Sequence, residues 1–199
     1  MILETKRLIL RPWEVGDAES LYQYAKDPKV GPIAGWPVHT SVENSREIIR
    51  DVLSGNHSFA VISKEREEAI GSIGLMLGKS SNIDIAADEG ELGYWIGVPF
   101  WGQGLIPEAV TAVLQYGFEK LGLAKIWCGY FLGNDKSQRV QEKCGFIYHH
   151  TEEDKPWPLM GDIRTERITC MTREQWAHKD EEGRTERMSI TKVGINNRL

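Results

Sequence analysis

The chain has 199 residues, 41% hydrophobic and 27% charged, which suits one globular domain with a full hydrophobic core. A formal charge of -5 and a pI near 5.6 argue against a nucleic-acid-binding surface. No apolar run reaches membrane-spanning length and no signal-peptide core opens the chain, so no membrane partner and a cytoplasmic location are expected. The three cysteines, Cys128, Cys144 and Cys170, are scattered, odd in number and far from any metal-ligand spacing, so no metal site is expected.

Arg7 to Arg11 reads as a first strand, stopped by Pro12. Asp17 caps a helix running to about Ala25, and the segment from Gly31 to His39 is a loop containing Trp36. Thr40 and Glu43 form a capping box for a helix bearing Ile48, Ile49, Val52 and Leu53. Phe59 to Ile62 and Ile70 to Leu77 make a hairpin across a charged turn. Ser80 to Gly90 is a polar loop, and Glu91 to Ile96 is the fourth predicted strand. From Pro107, apolar residues recur at helical spacing until Gly122. Lys125 to Tyr130 is the fifth strand, Asn134 or Asp135 caps a helix stopping at Gly145, and two further strands follow from Phe146 and Ile163. The domain spans 1–176; the tail, 177–199, has no clear core pattern, with an edge or swapped strand at Ser189 to Ile195 as an alternative to fraying.

Trp101-Gly-Gln-Gly-Leu-Ile106 joins the fourth strand to the long helix, with Pro107 and Glu108 in its first turn. The first amides of a helix lack carbonyl partners, and the dipole there is positive, so such a turn can hold a phosphate. A dinucleotide fingerprint fails because Pro107 stands at the third glycine position, and no Lys-Ser or Lys-Thr follows for a nucleotidase loop. By itself the turn reads better as a tight connection holding nothing. The second constellation is Asn134-Asp-Lys-Ser137 with Glu142-Lys-Cys-Gly-Phe146.

With Glu4-Thr-Lys-Arg-Leu-Ile-Leu-Arg11 and Leu92-Gly-Tyr-Trp95 these motifs, in this order, resemble the GCN5-related N-acetyltransferases. The resemblance is to the branch that includes ribosomal-protein N-terminal acetyltransferases, and runs from Leu3 to about Trp176. It implies an α/β fold with a mixed, mostly antiparallel sheet, splayed fourth and fifth strands, and helices on both faces. It also implies acetyl-coenzyme A as cosubstrate, no metal, and direct transfer to a primary amine in a ternary complex. The acceptor is a protein N-terminus or a small amine, and homodimerisation is common among similar proteins.

Carried over residue by residue, the pantetheine arm pairs with Trp95, Ile96, Gly97 and Val98. The pyrophosphate sits on the turn Trp101, Gly102, Gln103, Gly104, Leu105 and Ile106, mainly on the last four amides. Asn134 contacts pantetheine or simply caps its helix, and Ser137 hydrogen-bonds the sulfur or only packs. Ile96 N–H, or a neighbour, is the expected oxyanion donor. Two departures stand out: the bulky Ile106, where relatives have a small residue, and Gln141, where many have a tyrosine general acid. Glu91 is the candidate base, or a solvent-facing strand carboxylate. Trp36 and His39 lie where relatives form the acceptor pocket, with ordinary loop burial as the simpler reading, and Asp84, Asp88, Glu89 and Glu91 are expected to make that cleft acidic. Tyr148 is an alternative acid or, as the better reading, a core residue, and His149 and His150 are candidate bases or simply solvated. The missing tyrosine leaves a rival reading, a non-catalytic acyl-coenzyme A-binding regulatory module.

Overall fold

Alternating apolar residues make Leu8–Arg11 a strand with Leu8 and Leu10 wholly buried. In the computed structural model, which describes residues 1–179, this strand belongs to an eight-stranded sheet. The strands are β1 (Leu3–Glu4), β2 (Leu8–Arg11), β3 (Ser58–Ser63), β4 (Glu68–Leu77), β5 (Glu89–Ile96), β6 (Lys125–Phe131), β7 (Ile147–Trp157) and β8 (Asp162–Thr172). Their order is β1-β2-β3-β4-β5-β6-β8-β7, and every pairing is antiparallel except β5 with β6. The predicted fourth and fifth strands are therefore β5 and β6.

That parallel pair is brief. It joins Glu89 to Lys125, Gly90 to Ile126 and Glu91 to Trp127, and then the strands part. The rest of β5 stays bound to β4 as far as Ile96 opposite Gly71, while β6 stays bound to β8 as far as Phe131 opposite Glu166. A gap therefore opens between Leu92–Ile96 and Cys128–Phe131.

Helices α1 (Ala18–Ala25) and α3 (Val42–Asp51) cover one face, with Leu21, Ala25 and Ile49 packed on Ala60, Ile62 and Ala69. Helix α4 (Leu105–Gln115) covers the other, burying Leu105, Ile106, Ala109, Val110, Val113 and Leu114. Each fully buried leucine, valine or isoleucine contributes about 1.5–3 kcal/mol of transfer free energy, so this face fixes α4 firmly on the sheet. Helix α5 (Asp135–Cys144) packs beside it, capped by Asn134 and closed by left-handed Gly145, as expected.

Several boundaries differ from the sequence reading. Ser41, not Thr40, caps α3: its side chain accepts from Asn44 N–H at 3.0 Å, while Thr40 N–H donates to the Asn44 side chain. Helix α3 stops at Asp51, and Val52 is exposed. The first loop contains a helical turn, α2 (Gly31–Ala34). Helix α4 starts two residues early, at Leu105, because left-handed Gly104 occupies its N-cap, and it passes into a π turn over Tyr116–Lys120. Tyr148 is exposed rather than core, since β7 is the outer strand of the sheet. Trp176 packs on Phe118 at 5.6 Å between ring centres, and the expectations for Ser189 to Ile195 lie outside the described residues. No described helix is long and apolar enough to cross a membrane.

Candidate active site

The chain leaves β5 through Gly97, whose bare Cα is required: a Cβ there would stand 2.6 Å from the Tyr24 ring. Trp101 then turns back, and its indole N–H donates to the Ile96 carbonyl at 2.9 Å. Gly102 and Gly104 both take positive φ, 75° and 72°, which swings the backbone into α4. The first main-chain bond of the helix runs from Glu108 N–H to the Gly104 carbonyl, and Pro107 has no N–H. The main-chain N–H groups of Gly102, Gln103, Gly104, Leu105 and Ile106 donate to no described group. The side chains of Leu105 and Ile106 point into the core, so the bulk of Ile106 lies away from its own amide.

The turn is held from outside. Arg7 donates to the Gln103 carbonyl at 2.9 Å and pairs with Glu108 at 2.7 Å, and Thr5 Oγ1 donates to the same carboxylate at 2.6 Å. Burial opposes ionisation of Glu108, but the bonds from Thr5 and Arg7 outweigh it and hold its carboxyl below the usual range.

The turn forms one wall of a cleft of about 650 Å³. It runs past Tyr94, Trp95 and Ile96 to Asn134 and Ser137 at the start of α5, gathering ten residues near the two motifs: Tyr94, Trp95, Ile96, Trp101, Gly102, Gly104, Leu105, Ile106, Asn134 and Ser137. Gly97, Val98 and the Gln103 side chain do not line it; Gln103 Nε2 donates to the Pro99 carbonyl instead. Gly97 N–H donates to the Ile70 carbonyl, so by strand alternation the amides of Tyr94 and Ile96 face the gap. The Ile96 amide is thus available to a ligand, whereas its carbonyl is taken by Trp101.

At the far end, Tyr94 Oη lies 3.0 Å from Ser137 Oγ, and Gln141 Nε2 donates to Ser137 Oγ at 3.2 Å and to the Gly129 carbonyl at 3.1 Å. Gln141 is itself buried and accepts from Thr169 Oγ1 at 2.7 Å. A tyrosine hydroxyl thus reaches this point from β5 rather than from α5. Burial pushes the Tyr94 phenol well up, so it stays protonated. The thiols of Cys128 and Cys144 are also raised by burial, Cys144 to about 11, which disfavours a thiolate nucleophile.

The cleft lining contains Lys29, Lys136, Arg139 and Lys143 against one acid, Asp135. Lys136 Nζ sits 4.4 Å from the centre of the Trp101 ring. This basic lining in an acidic protein suits a polyphosphate ligand. Sequence reasoning missed it, although 136, 139 and 143 recur at helical spacing on the segment already singled out.

On the opposite face, Trp36 packs edge-on against Trp95 at 5.5 Å and against His39 at 5.4 Å. His39 lies behind Trp36, 6% exposed, with Nδ1 2.8 Å from Ser45 Oγ, and burial lowers its pKa. Glu91 is not solvent-facing. It is buried and receives Ser81 Oγ at 2.8 Å and Asn82 N–H at 2.6 Å. The expected acidic set does not assemble: Asp84 and Asp88 are exposed, and Glu89 is tied to Lys125 at 3.2 Å and Trp127 Nε1 at 2.7 Å. Glu166 of β8, absent from the sequence reading, comes to this face instead; no motif marked it, because only the β6–β8 register brings it there. No group of three His, Cys, Asp or Glu residues suited to a metal ion occurs among the described residues.

These features agree with what the chain is similar to. The family model "Acetyltransferase (GNAT) domain" matches residues 7–147. The uncharacterized N-acetyltransferase p20 of Bacillus licheniformis is 36% identical over 129 residues, covering 62% of this chain and 70% of that protein. An acetyltransferase (GNAT family) from Bacillus anthracis superposes with a TM-score of 0.76 at 24% identity, covering 87% of this chain and 99% of that one. A putative ribosomal-protein-serine acetyltransferase from Vibrio cholerae does so with 0.71 at 21% identity, covering 86% and 97%. With its parted strands, free helix-start amides and family match over most of its length, the chain belongs to the GNAT acetyltransferases.

Proposed function

We propose that this protein moves the acetyl group of acetyl-coenzyme A directly onto a primary amine while both are bound. The observation that carries this reading is the continuity of one cleft from the unpaired amides of Gly102–Ile106 to the hydroxyls of Ser137 and Tyr94. The diphosphate rests on the turn amides, where five successive donors and the helix dipole meet its charge. Lys136, Arg139 and Lys143 add cationic contacts. The pantetheine arm lies along β5 in the gap that β6 leaves, and the Ile96 amide donates to the developing oxyanion.

Ser137 Oγ then protonates the departing sulfur and is resupplied by Tyr94 Oη, which takes the place of the tyrosine missing at Gln141. This answers the chief argument for a non-catalytic module. The acceptor enters from the Trp36 and Trp95 side. A protein α-amine has a pKa near ~8 and a lysine near ~10.4, so the α-amine costs about 3 kcal/mol less to deprotonate. We therefore place peptide N-termini ahead of lysine side chains, with small polyamines as the competing class.

The test is calorimetric titration with acetyl-coenzyme A, followed by thiol release with a serine-initiated peptide, a lysine-containing acetylated peptide and spermidine. Binding with turnover of one amine is expected. Binding with no turnover of any amine leaves the regulatory-module reading in its place, and no binding at millimolar cosubstrate removes both.

A further inference from the structure

The acetyl-transfer reading leaves open which group removes the acceptor's proton, and the geometry favours a residue other than Glu91. Glu91 has its oxygens turned to Ser81 and Asn82: Oε2 accepts from Ser81 Oγ at 2.8 Å and from Asn82 N–H at 2.6 Å, and Oε1 accepts from Asn82 Nδ2 at 3.4 Å. Glu166 differs. It is 5% exposed, and Lys155 Nζ holds Oε2 at 2.7 Å while also holding Glu152 at 2.6 Å and donating to the Asn82 carbonyl at 3.3 Å. Its Oε1 accepts from no described donor and lies over Gly129, where a Cβ would be 2.2 Å away. Gly129 is two residues beyond Trp127, the last β6 residue paired with β5. The free oxygen therefore stands at the mouth of the gap. On the other side of the same glycine, its carbonyl accepts from Gln141, which also holds Ser137 Oγ.

We propose that Glu166 is the base that takes the proton of the acceptor ammonium, that Lys155 positions it, and that Glu91 lends a second negative charge to the ammonium site. This rests on the acetyl-transfer reading. The acceptor arrives as R–NH3⁺, one proton passes to Glu166 Oε1, and the freed lone pair attacks the thioester carbonyl. The C–N bond forms and the C–S bond breaks. Tyr94 replaces the proton Ser137 gives to the thiolate, the second nitrogen proton in turn restores Tyr94, and Glu166 returns its proton to solvent. The sum is one amide, one thiol and one proton released. Burial and the nearby Glu91 charge raise the Glu166 carboxyl, with Lys155 pulling the other way, which brings it toward the pH at which it must accept. The charged or titratable groups facing it are Glu91 from β5 and Glu152 and Lys155 from β7, with the Cys128 thiol of β6 nearby on the other face of the sheet.

The experiment compares wild type with Glu166→Gln, measuring acetyl-coenzyme A affinity, melting temperature and kcat/KM against pH. The acceptor is the serine-initiated peptide or spermidine, whichever wild type turns over faster. Expected are unchanged cosubstrate affinity, a fall in kcat/KM of about a hundredfold at neutral pH, and loss of the wild-type acid limb, with activity recovering as solution pH deprotonates the amine. Lys155→Met should move the acid limb of the wild-type profile to higher pH. If Glu166→Gln does not fold, Glu166→Asp serves: it should keep an acid limb at reduced kcat, and a profile without that limb overturns the assignment. So does a uniform fall at every pH with the limb unmoved, or unchanged turnover. If wild type binds acetyl-coenzyme A but acetylates neither amine, the transfer reading itself fails, and this proposal with it.

Discussion

Replacing Gly104 with alanine isolates what the proposed cofactor turn requires of its backbone. Gly104 has φ 72° and ψ 15°, and a Cβ there would meet nothing closer than the flexible tip of Arg7 at 3.7 Å. Crowding is therefore negligible, and the penalty is that of a left-handed alanine, about 1–2 kcal/mol. If the turn keeps its shape, that energy leaves global stability, and the melting temperature falls by about 2–8 °C, given about 2–4 °C per kcal/mol for a domain of this size. If the free turn relaxes to another conformation, the energy is required on binding, and acetyl-coenzyme A binds about 5- to 30-fold more weakly. Gly104→Asn should recover part of either loss, since asparagine tolerates this region. Gly55→Ala, where a Cβ meets nothing and φ is not positive, is the control. Scanning calorimetry and isothermal titration read both channels. Unchanged melting and unchanged affinity in Gly104→Ala would refute the argument that this geometry presents the amides.

Tyr94→Phe and Ser137→Ala should each lower kcat at least tenfold with little change in acetyl-coenzyme A affinity, and the double variant should resemble the worse single one, because the two hydroxyls act in series; additive losses in rapid-quench measurements would contradict this. Arg7→Met should cost under about 1 kcal/mol of global stability, as expected of a half-exposed pair, yet weaken acetyl-coenzyme A several-fold by freeing the Gln103 carbonyl. Exchanging Lys136, Arg139 and Lys143 for glutamine should flatten the salt dependence of acetyl-coenzyme A affinity, measured by titration at two ionic strengths. His39, lowered by burial, binds its proton less readily folded than unfolded, so its contribution is complete above about pH 6.5 and declines as pH falls below that value. Thermal midpoints between pH 8 and 5 should therefore fall less steeply in His39→Gln.

The order of elements was legible in the sequence because strand alternation and helical spacing are local signals. The glycine turn was legible for the same reason: Gly102, Gly104 and Pro107 constrain their own backbone whatever surrounds them. Helix starts were less so, since Ser41 and Thr40 are equally good caps in sequence, and only the approach of the chain decides between them. The proposed cofactor side was partly legible, because its groups sit on one turn and one helix. The proposed acceptor side was not. Glu91 was found, but its partners Ser81 and Asn82 come from an irregular loop. Glu166 and Lys155 reach it from the terminal hairpin, through a register that includes two irregularities in β7–β8.

The two sides of the site are separated by the alternation of a single strand. Leu92, Tyr94 and Ile96 of β5 join the core beneath α4, and Tyr94 delivers its hydroxyl to Ser137 on that side. Glu91 turns to the opposite face, and Trp95 packs there on Trp36. The Arg7 lock on α4 and the bonds from Gly71 to Leu77 of β4 fix this register from two independent directions. A slip of one residue would exchange the faces, sending a carboxylate toward the diphosphate and a phenol toward the acceptor. The opposite charges of the two sides, cations lining the proposed cosubstrate cleft and carboxylates at the proposed acceptor mouth, thus depend on pairing in β4 and β5. Substitutions that weaken that pairing should harm cosubstrate binding and amine transfer together, even when they touch neither ligand.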